Sequence, residues 1–331
     1  IWSILLLLAA GLLISCGSER EKTGMEIDLS EIHIDQVEIQ RYGEALFAID
    51  PDSLSSALRE LQPEFPVFLN ADLDDTLNII QLHDFITDPV NLMLYDSVMA
   101  KYPDLSLYEN QFTDAFKRFR YYFPEKEIPG VYSYVSGLVF ENPVQFITGE
   151  MIIALDMYLG KEMEMYRRLG LPRYRIARMN ENHIVRDGIY ELYYYHFLEK
   201  PGENVLQKMI NKGMHLYFLD AIIPGTPDHV KIGYPEEKLQ WCLENESNIW
   251  AFMIENELLY ASDAHTLRKF FTDGPFTSQF SQESPARIGE WLGWQIIRAF
   301  MKNNPGTTLD QMLQMEDAQL ILSRSGYKPR R

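Results

Sequence analysis

The sequence contains very little cysteine and comparatively little positive charge. Cysteine occurs at only two of 331 positions, Cys16 and Cys242. Lysine and arginine number 30 against 48 acidic residues, which gives a formal net charge of −18. Phosphate backbones repel a chain of this charge, so we expect no nucleic-acid partner. The acidity is typical of a soluble surface.

The sequence also lacks complete motifs of the common enzyme classes. It has no glycine-rich phosphate loop, no Gly-x-Ser-x-Gly elbow and no cysteine pair at metal-binding spacing. Residues 70–75 (NADLDD) superficially resemble a calcium loop. They fail the pattern because Asp75 stands in the glycine place and Gln81 in the place of the final glutamate. We interpret the segment as a polar loop or a helix start.

An uncharged apolar run, IWSILLLLAAGLLI, occupies residues 1–14. It is short for a membrane-spanning helix and typical of the apolar region of a signal peptide, here without a basic start. The end of this run and the three residues after it, 13–17 (LISCG), resemble a bacterial lipobox. We therefore predict a signal peptide over 1–15, a lipidated Cys16 with a linker to residue 30, and anchoring by the acyl chains. Cys242 then has no disulfide partner and is expected to be a buried thiol.

Residues 31–331 are predicted to form one domain of the α+β class, mostly α, in two parts. The first part, 31–177, combines helices with a small mixed sheet, and 178–331 is a helical subdomain. Strands are predicted at 32–41, 131–139 and 144–155. Helices are predicted at 53–61, 89–100, 105–122, 184–198, 205–223, 235–260 and 284–301.

Two helix starts have capping signals. Ser284 followed by Pro285 predicts an N-terminus, and Thr308 with Gln311 predicts a capping box.

Small and aromatic residues of the C-terminal half are predicted to be structural. Gly289 and Gly293 leave a flat groove on their helix, and we expect the helix at 184–198 to pack there. Trp294 lies on the same helix, and Trp250 lies four residues from Glu246, with which it is predicted to make a buried polar contact.

The helices at 184–198 and 205–223 resemble the pair that forms the core of many zinc peptidases. Such enzymes need His-Glu-x-x-His, in which both histidines hold zinc and the glutamate activates water. The corresponding window, 190–194 (YELYY), keeps Glu191 but has tyrosine in both histidine places. The third ligand is typically a glutamate before a glycine, and here that place reads Lys212-Gly213.

The catalytic candidates that remain are Glu191 and His196. An unusual ligand set for zinc would draw on His183, His196 and His215, although nothing in their spacing requires it. We expect no metal and no cofactor, with zinc as the alternative.

Several long segments resemble the GldB-type gliding-motility lipoproteins of the Bacteroidetes. They include LDMYLGKE, MINKGMHLYFLDAIIP, RKFFTDGPF, SPARIGEWLGWQIIRAFMKNN and SGYKPR, and the resemblance runs from about residue 37 to the end. It implies an envelope lipoprotein needed for gliding and tied to the type IX secretion machinery, with no established catalytic activity. The family is distantly similar to predicted zinc peptidases, which implies a zincin-like (thermolysin-like) core without the metal motif.

Three hypotheses follow for the function. The first is a lipid-anchored, periplasm-facing envelope protein that is not an enzyme and acts through contacts with proteins of the gliding or secretion machinery. The second is a divergent metal-dependent hydrolase. The third is a module that binds a peptide or a cell-wall fragment in a cleft beside the small sheet, where an edge strand can pair with a peptide.

Overall fold

The computed structural model describes residues 27–198 and 200–329. The predicted signal peptide and Cys16 lie outside these residues. The described chain is α+β and mostly helical, with a four-stranded mixed sheet. None of its helices is both long enough and apolar enough to cross a bilayer.

The sheet contains three parallel strands and one antiparallel strand at an edge. The order is β1-β2-β4-β3, where β1 is Ile39–Arg41, β2 Val131–Tyr134, β3 Val144–Ile147 and β4 Glu150–Ala154. Val131 lies opposite Met151, and Val144 lies opposite Ile153. Strands β3 and β4 are joined by Thr148 (φ 50°) and Gly149 (φ 92°). Two consecutive positive φ angles are the geometry of a tight hairpin turn.

The strands are shorter than predicted because side chains take up several backbone donors. In the predicted strand 32–41, Val37 N donates to Thr113 Oγ1 and Ile39 N to Glu109 Oε1, both at about 3 Å. Only the last three residues pair as β1. Beyond β2 the amides of Ser136 and Leu138 donate to the buried carboxylate of Asp156, so the predicted strand 131–139 ends at Tyr134. The predicted strand 144–155 is split in two by the hairpin turn.

Five α-helices lie between β1 and β2. They are α1 Tyr42–Phe47, α2 Leu54–Leu61, α3 Thr76–Thr87, α4 Pro89–Lys101 and α5 Ser106–Tyr122. Asp75 caps α3 and Asp88 caps α4, each by accepting an amide hydrogen bond two residues ahead. The predicted helices of this part are confirmed, and the segment 70–75 is a helix start.

Ten α-helices follow the sheet in the part of the chain that the structure describes. They are α6 Glu164–Arg168, α7 Arg173–Ile176, α8 Ile184–His196, α9 Val205–Ile222, α10 Asp228–Ile232, α11 Glu236–Glu255, α12 Ala264–Phe271, α13 Ile288–Asn303, α14 Leu309–Gln314 and α15 Ala318–Ser325. The predicted helix 235–260 ends early, because Glu257 adopts φ 53° before a short 3₁₀ turn, Leu258–Tyr260.

The sheet separates two hydrophobic cores. Val131, Met151 and Ile153 point into the large core shared with α5, α8, α9 and α13. Tyr132 and Ile152, one residue out of phase, point into a smaller core under α1 to α3. This alternation is the period of two expected when both faces of a sheet are covered.

Helices α9 and α13 touch backbone to backbone at the centre of the large core. A Cβ atom added to Gly293 would lie 1.7 Å from the carbonyl oxygen of Met209, and one added to Gly213 would lie 2.3 Å from Gly293. The predicted groove at Gly293 is therefore present, but the prediction that 184–198 fills it is wrong. The glycine of α8, Gly188, faces Phe112 and Met151 instead.

The other predictions for α13 differ in outcome. The helix begins after Arg287 and not at Ser284, so that start was wrong. The hydroxyl of Ser284 is buried and donates to Ser281 O (2.7 Å), so it stabilises the preceding loop. Gly289 packs against Phe271 of α12. The capping box of Thr308 and Gln311 is confirmed at the start of α14.

Candidate functional site

Three tyrosines of α8 surround one histidine of α9. Residues 190, 193 and 194 share a helix face because they are spaced by three and four positions. The ring centroids of Tyr190, Tyr193 and Tyr194 lie 3.9, 4.3 and 4.7 Å from that of His215. The interface between α8 and α9 is therefore an aromatic cluster.

The three positions that the sequence comparison assigned to zinc ligands lie together in this cluster. Lys212 Nζ donates to Tyr194 Oη at 2.9 Å, and Tyr190 Oη lies 3.5 Å from Tyr194 Oη. Zinc sites use imidazole, thiolate or carboxylate ligands. Two phenols and an ammonium offer none of these, and the ammonium already supplies a positive charge. The residues present do not fit a zinc ion.

His215 is a buried packing residue in its neutral form. It is 2% exposed, and its Nε2 has no hydrogen-bond partner among the described residues. Burial, followed by the nearby charges of Arg186 and Lys212, lowers the pKa of His215 well below its usual range. A neutral imidazole can stack on tyrosine rings without an uncompensated charge.

Glu191 is the other residue of the window with unusual chemistry. Its carboxylate is half-buried and accepts no hydrogen bond within the described chain. Burial, with repulsion from Asp187, raises the pKa of Glu191 to about 7. A carboxylate of this pKa could act as a general base near neutral pH. The residues that would position a metal-bound water beside it are absent from the cluster.

The remaining histidine candidates lie elsewhere. His183 precedes α8 and is buried, with Nδ1 3.3 Å from Asn180 Oδ1, and burial lowers its pKa to about 4. His196 ends α8, where Nε2 lies 3.1 Å from Glu127 O and the ring stacks on Phe119. The structure does not bring His183, His196 and His215 together. Across residues 27–198 and 200–329, no three His, Cys, Asp or Glu side chains are grouped to hold a metal.

The predicted structural tryptophans have partners that the sequence did not indicate. Trp294 is fully buried, and its Nε1 donates to Asp220 Oδ2 at 2.8 Å. Asp220 also accepts from Lys231 (2.8 Å) and from Arg298 (2.7 and 2.8 Å). Burial opposes ionisation here, but these two cations hold the pKa of Asp220 below its usual range.

Trp250 does not contact Glu246 in the way predicted. Tyr327 lies between them, with its ring against Trp250 (5.2 Å between centroids) and its hydroxyl donating to Glu246 at 2.8 Å. Cys242 is fully buried, as predicted.

A cleft of about 240 Å³ lies beside the start of α8 and the start of β3. The sequence analysis predicted a cleft beside the small sheet but did not identify the residues that line it. Its charged lining consists of three arginines and three acids, Arg175, Arg178, Arg186, Glu141, Asp187 and Asp273. Asp273 lies 95 residues from Arg178 in the sequence, yet the two form an ion pair. The only local signal was the arginine-rich segment 173–178.

A comparison with protein-family models identifies the chain. The model described as "Gliding motility protein GldB" matches residues 22–329. No curated protein and no solved structure matches. The family match covers nearly the whole sequence, and the resemblance noted in the segments around α9 and α13 is confirmed. The chain therefore belongs to the GldB family of gliding motility proteins.

Proposed function

We propose that the chain is a lipid-anchored, periplasm-facing envelope protein that serves gliding motility through protein contacts and without catalysis. Family membership supports the role in gliding motility. The expected partners are envelope proteins of the gliding or type IX secretion machinery. The expected anchor is the acylated Cys16.

The observation that carries the proposal is the bond between Lys212 Nζ and Tyr194 Oη. Tyr190, Tyr194 and Lys212 stand at the three positions that the sequence comparison assigns to zinc ligands, and they contact one another. An ammonium there opposes a dication, and a phenol that accepts a hydrogen bond from lysine has one lone pair fewer for a metal. The arrangement supports a scaffold in which packing has replaced catalysis.

We also propose that the core is zincin-like. Strand β3 is antiparallel and lies at an edge, against α8, where Phe146 stacks on Tyr195 at 4.4 Å. The helix with the Glu191 window thus runs beside an edge strand, and α9 supplies the third ligand place. This topology supports descent from a peptidase scaffold.

The test uses a gliding host strain that lacks its own GldB protein and expresses the full chain. We expect Glu191→Gln to restore gliding as well as the unaltered chain does, and Cys16→Ser to lose both gliding and membrane association. Glu236→Gln, on the exposed first turn of α11, is the matched control for an acid-to-amide change. Failure of Glu191→Gln alone, at a normal protein level, would show that the carboxylate is required and would contradict the proposal.

The pKa of Glu191 is the one observation that favours a hydrolase. The full chain, purified in detergent without chelator or affinity metal, distinguishes the two. About one zinc per chain would support the hydrolase, with a ligand set other than the one at Tyr194. We expect no stoichiometric zinc.

A further inference from the structure

The cleft beside α8 has a charged wall and an apolar wall. The apolar wall is formed by side chains from several separate segments, Phe140, Pro143, Met157, Leu171 and Met179. At about 30 Å³ of liquid volume per water molecule, a volume of about 240 Å³ corresponds to roughly eight waters. That is the size of one or two amino-acid residues.

Two of the three carboxylates that line the cleft already have donors. Asp187 accepts from Tyr158 Oη at 2.9 Å and from Arg186 Nη1 at 2.8 Å. Asp273 pairs with Arg178 and lies 3.3 Å from Arg287 Nε. Both of these acids are therefore neutralised within the protein. The third, Glu141, is exposed to solvent.

The guanidinium groups of the same wall have donors to spare. Arg175 is exposed and makes no hydrogen bond or ion pair with any residue that the structure describes. Arg178 uses Nη2 on Asp273, and its Nε and Nη1 have no acceptor in that part of the chain. Apart from the exposed Glu141, the carboxylates of the cleft are bonded while guanidinium donors remain unused, so the arginines lack acceptors. A carboxylate ligand supplies two acceptor atoms in the geometry that a guanidinium fork prefers.

We propose that this cleft binds a small carboxylate with an apolar substituent, of the size of an N-acylated amino acid or the C-terminal residue of a peptide. The carboxylate bonds to Arg175 and Arg178, and the substituent packs against Leu171 and Met179. The proposal goes beyond the function proposed above and holds whether or not the chain hydrolyses anything.

The adjoining sheet edge favours a peptide as the source of this carboxylate. Pro143 lines the cleft, and β3 begins at the next residue. Among the described residues no strand pairs with the outer side of β3. An extended peptide could pair there and place its terminal residue in the cleft.

The experiment titrates the full chain in detergent with N-acetyl-leucine and with N-acetyl-alanyl-alanyl-leucine, by calorimetry. The C-terminal amides of both compounds are the matched ligands without charge. We expect the acids to bind and the amides to show no binding. We expect Arg175→Gln to weaken the acids by about tenfold or more, as for loss of a charged hydrogen bond. Tighter binding of the tripeptide acid would assign the site to peptide ends, and equal binding would assign it to free acylated amino acids.

Arg173→Gln is the control variant, because Arg173 is exposed on the same short helix but does not line the cleft. It should bind the acids as the unaltered chain does. Arg175 is also exposed, so Arg175→Gln should keep the melting temperature, which separates lost binding from lost fold. Absence of binding, equal binding of amides, or equal effects of the two substitutions would overturn the proposal.

Discussion

At the scale of single residues, Tyr194 and Lys212 stand at two positions where the sequence comparison expected zinc ligands, and they bond to each other. Their hydrogen bond of 2.9 Å joins α8 to α9 at the positions of two expected ligands. The sequence allowed the prediction that zinc ligands were missing. It did not indicate that the replacing side chains bond to each other, because that depends on the relative placement of two helices.

Because Tyr190, Tyr194 and Lys212 contact one another, we predict that substitutions at these positions can introduce zinc binding. The triple variant Tyr190→His, Tyr194→His, Lys212→Glu supplies two imidazoles and a carboxylate at places whose present side chains contact one another. We expect about one zinc per chain, since three such ligands are what catalytic zinc sites use. Metal content after dialysis measures it, with the single variant Tyr194→His as the control. A folded triple variant without zinc would contradict the zincin-like core.

The raised pKa of Glu191 predicts that the stability of the protein depends on pH. Its pKa is about 7 in the folded chain and near the ordinary value of about 4.3 in the unfolded chain. Between these values the folded state binds more protons than the unfolded state, so this residue lowers the free energy of unfolding as pH rises. Glu191→Gln removes the effect. We expect the variant to gain stability relative to the unaltered chain between about pH 5 and pH 8.

Urea unfolding at about pH 5 and at about pH 8 measures the difference in free energy of unfolding between Glu191→Gln and the unaltered chain. Glu236→Gln, at an exposed helix start, should show no such change. If Glu191→Gln and the unaltered chain differ in free energy of unfolding by the same amount at both pH values, the Glu191 carboxyl titrates normally.

At the scale of elements, the contact between α9 and α13 predicts a large cost for any side chain at Gly293. A Cβ atom there would lie 1.7 Å from Met209 O, and backbone cannot give way as a flexible side chain can. We expect Gly293→Ala to destabilise the protein by roughly 1–3 kcal/mol or more. Thermal unfolding measures the effect. Gly306→Ala, which meets nothing within 4 Å, is the control and should be near neutral.

Sequence signals predicted helix starts correctly where the capping side chain bonds to a residue nearby in the sequence. Asp88 with Pro89 and Thr308 with Gln311 cap helices because the bonds they make close within three residues. Ser284 failed because its hydroxyl bonds to its own loop. The strand predicted at 32–41 is present only over Ile39–Arg41. The sequence could not indicate this, because Thr113 and Glu109, more than 60 residues away, accept amide hydrogens of the segment.

The residues that line the cleft could not be predicted for the same reason. Its arginines lie near one another in sequence, but the carboxylate that pairs with Arg178 comes from the loop after α12. The apolar wall combines the 3₁₀ turn after β4 with the loop before β3. Only the folded chain brings these segments together.

At the scale of the whole molecule, the predicted division at residue 177 does not separate two cores. The large core runs from Ile39 to Ile321 and includes the sheet. We therefore expect one cooperative unfolding transition. All tryptophans of the described chain lie in the second part, at 241, 250, 291 and 294. Their fluorescence and the far-ultraviolet circular dichroism should give the same midpoint in urea. Two separated midpoints would show that 31–177 and 178–331 unfold independently.

The glycine contact between α9 and α13 also bears on motion. Two helices whose backbones touch have no side chains between them that could repack, so they cannot slide or separate by small steps. Helix α8 meets α9 and strand β3 through aromatic rings, which can change rotamer. Any opening of the cleft on binding would therefore move α8 over a base of fixed spacing, and the distance from Gly213 to Gly293 would stay constant as a ligand enters and leaves.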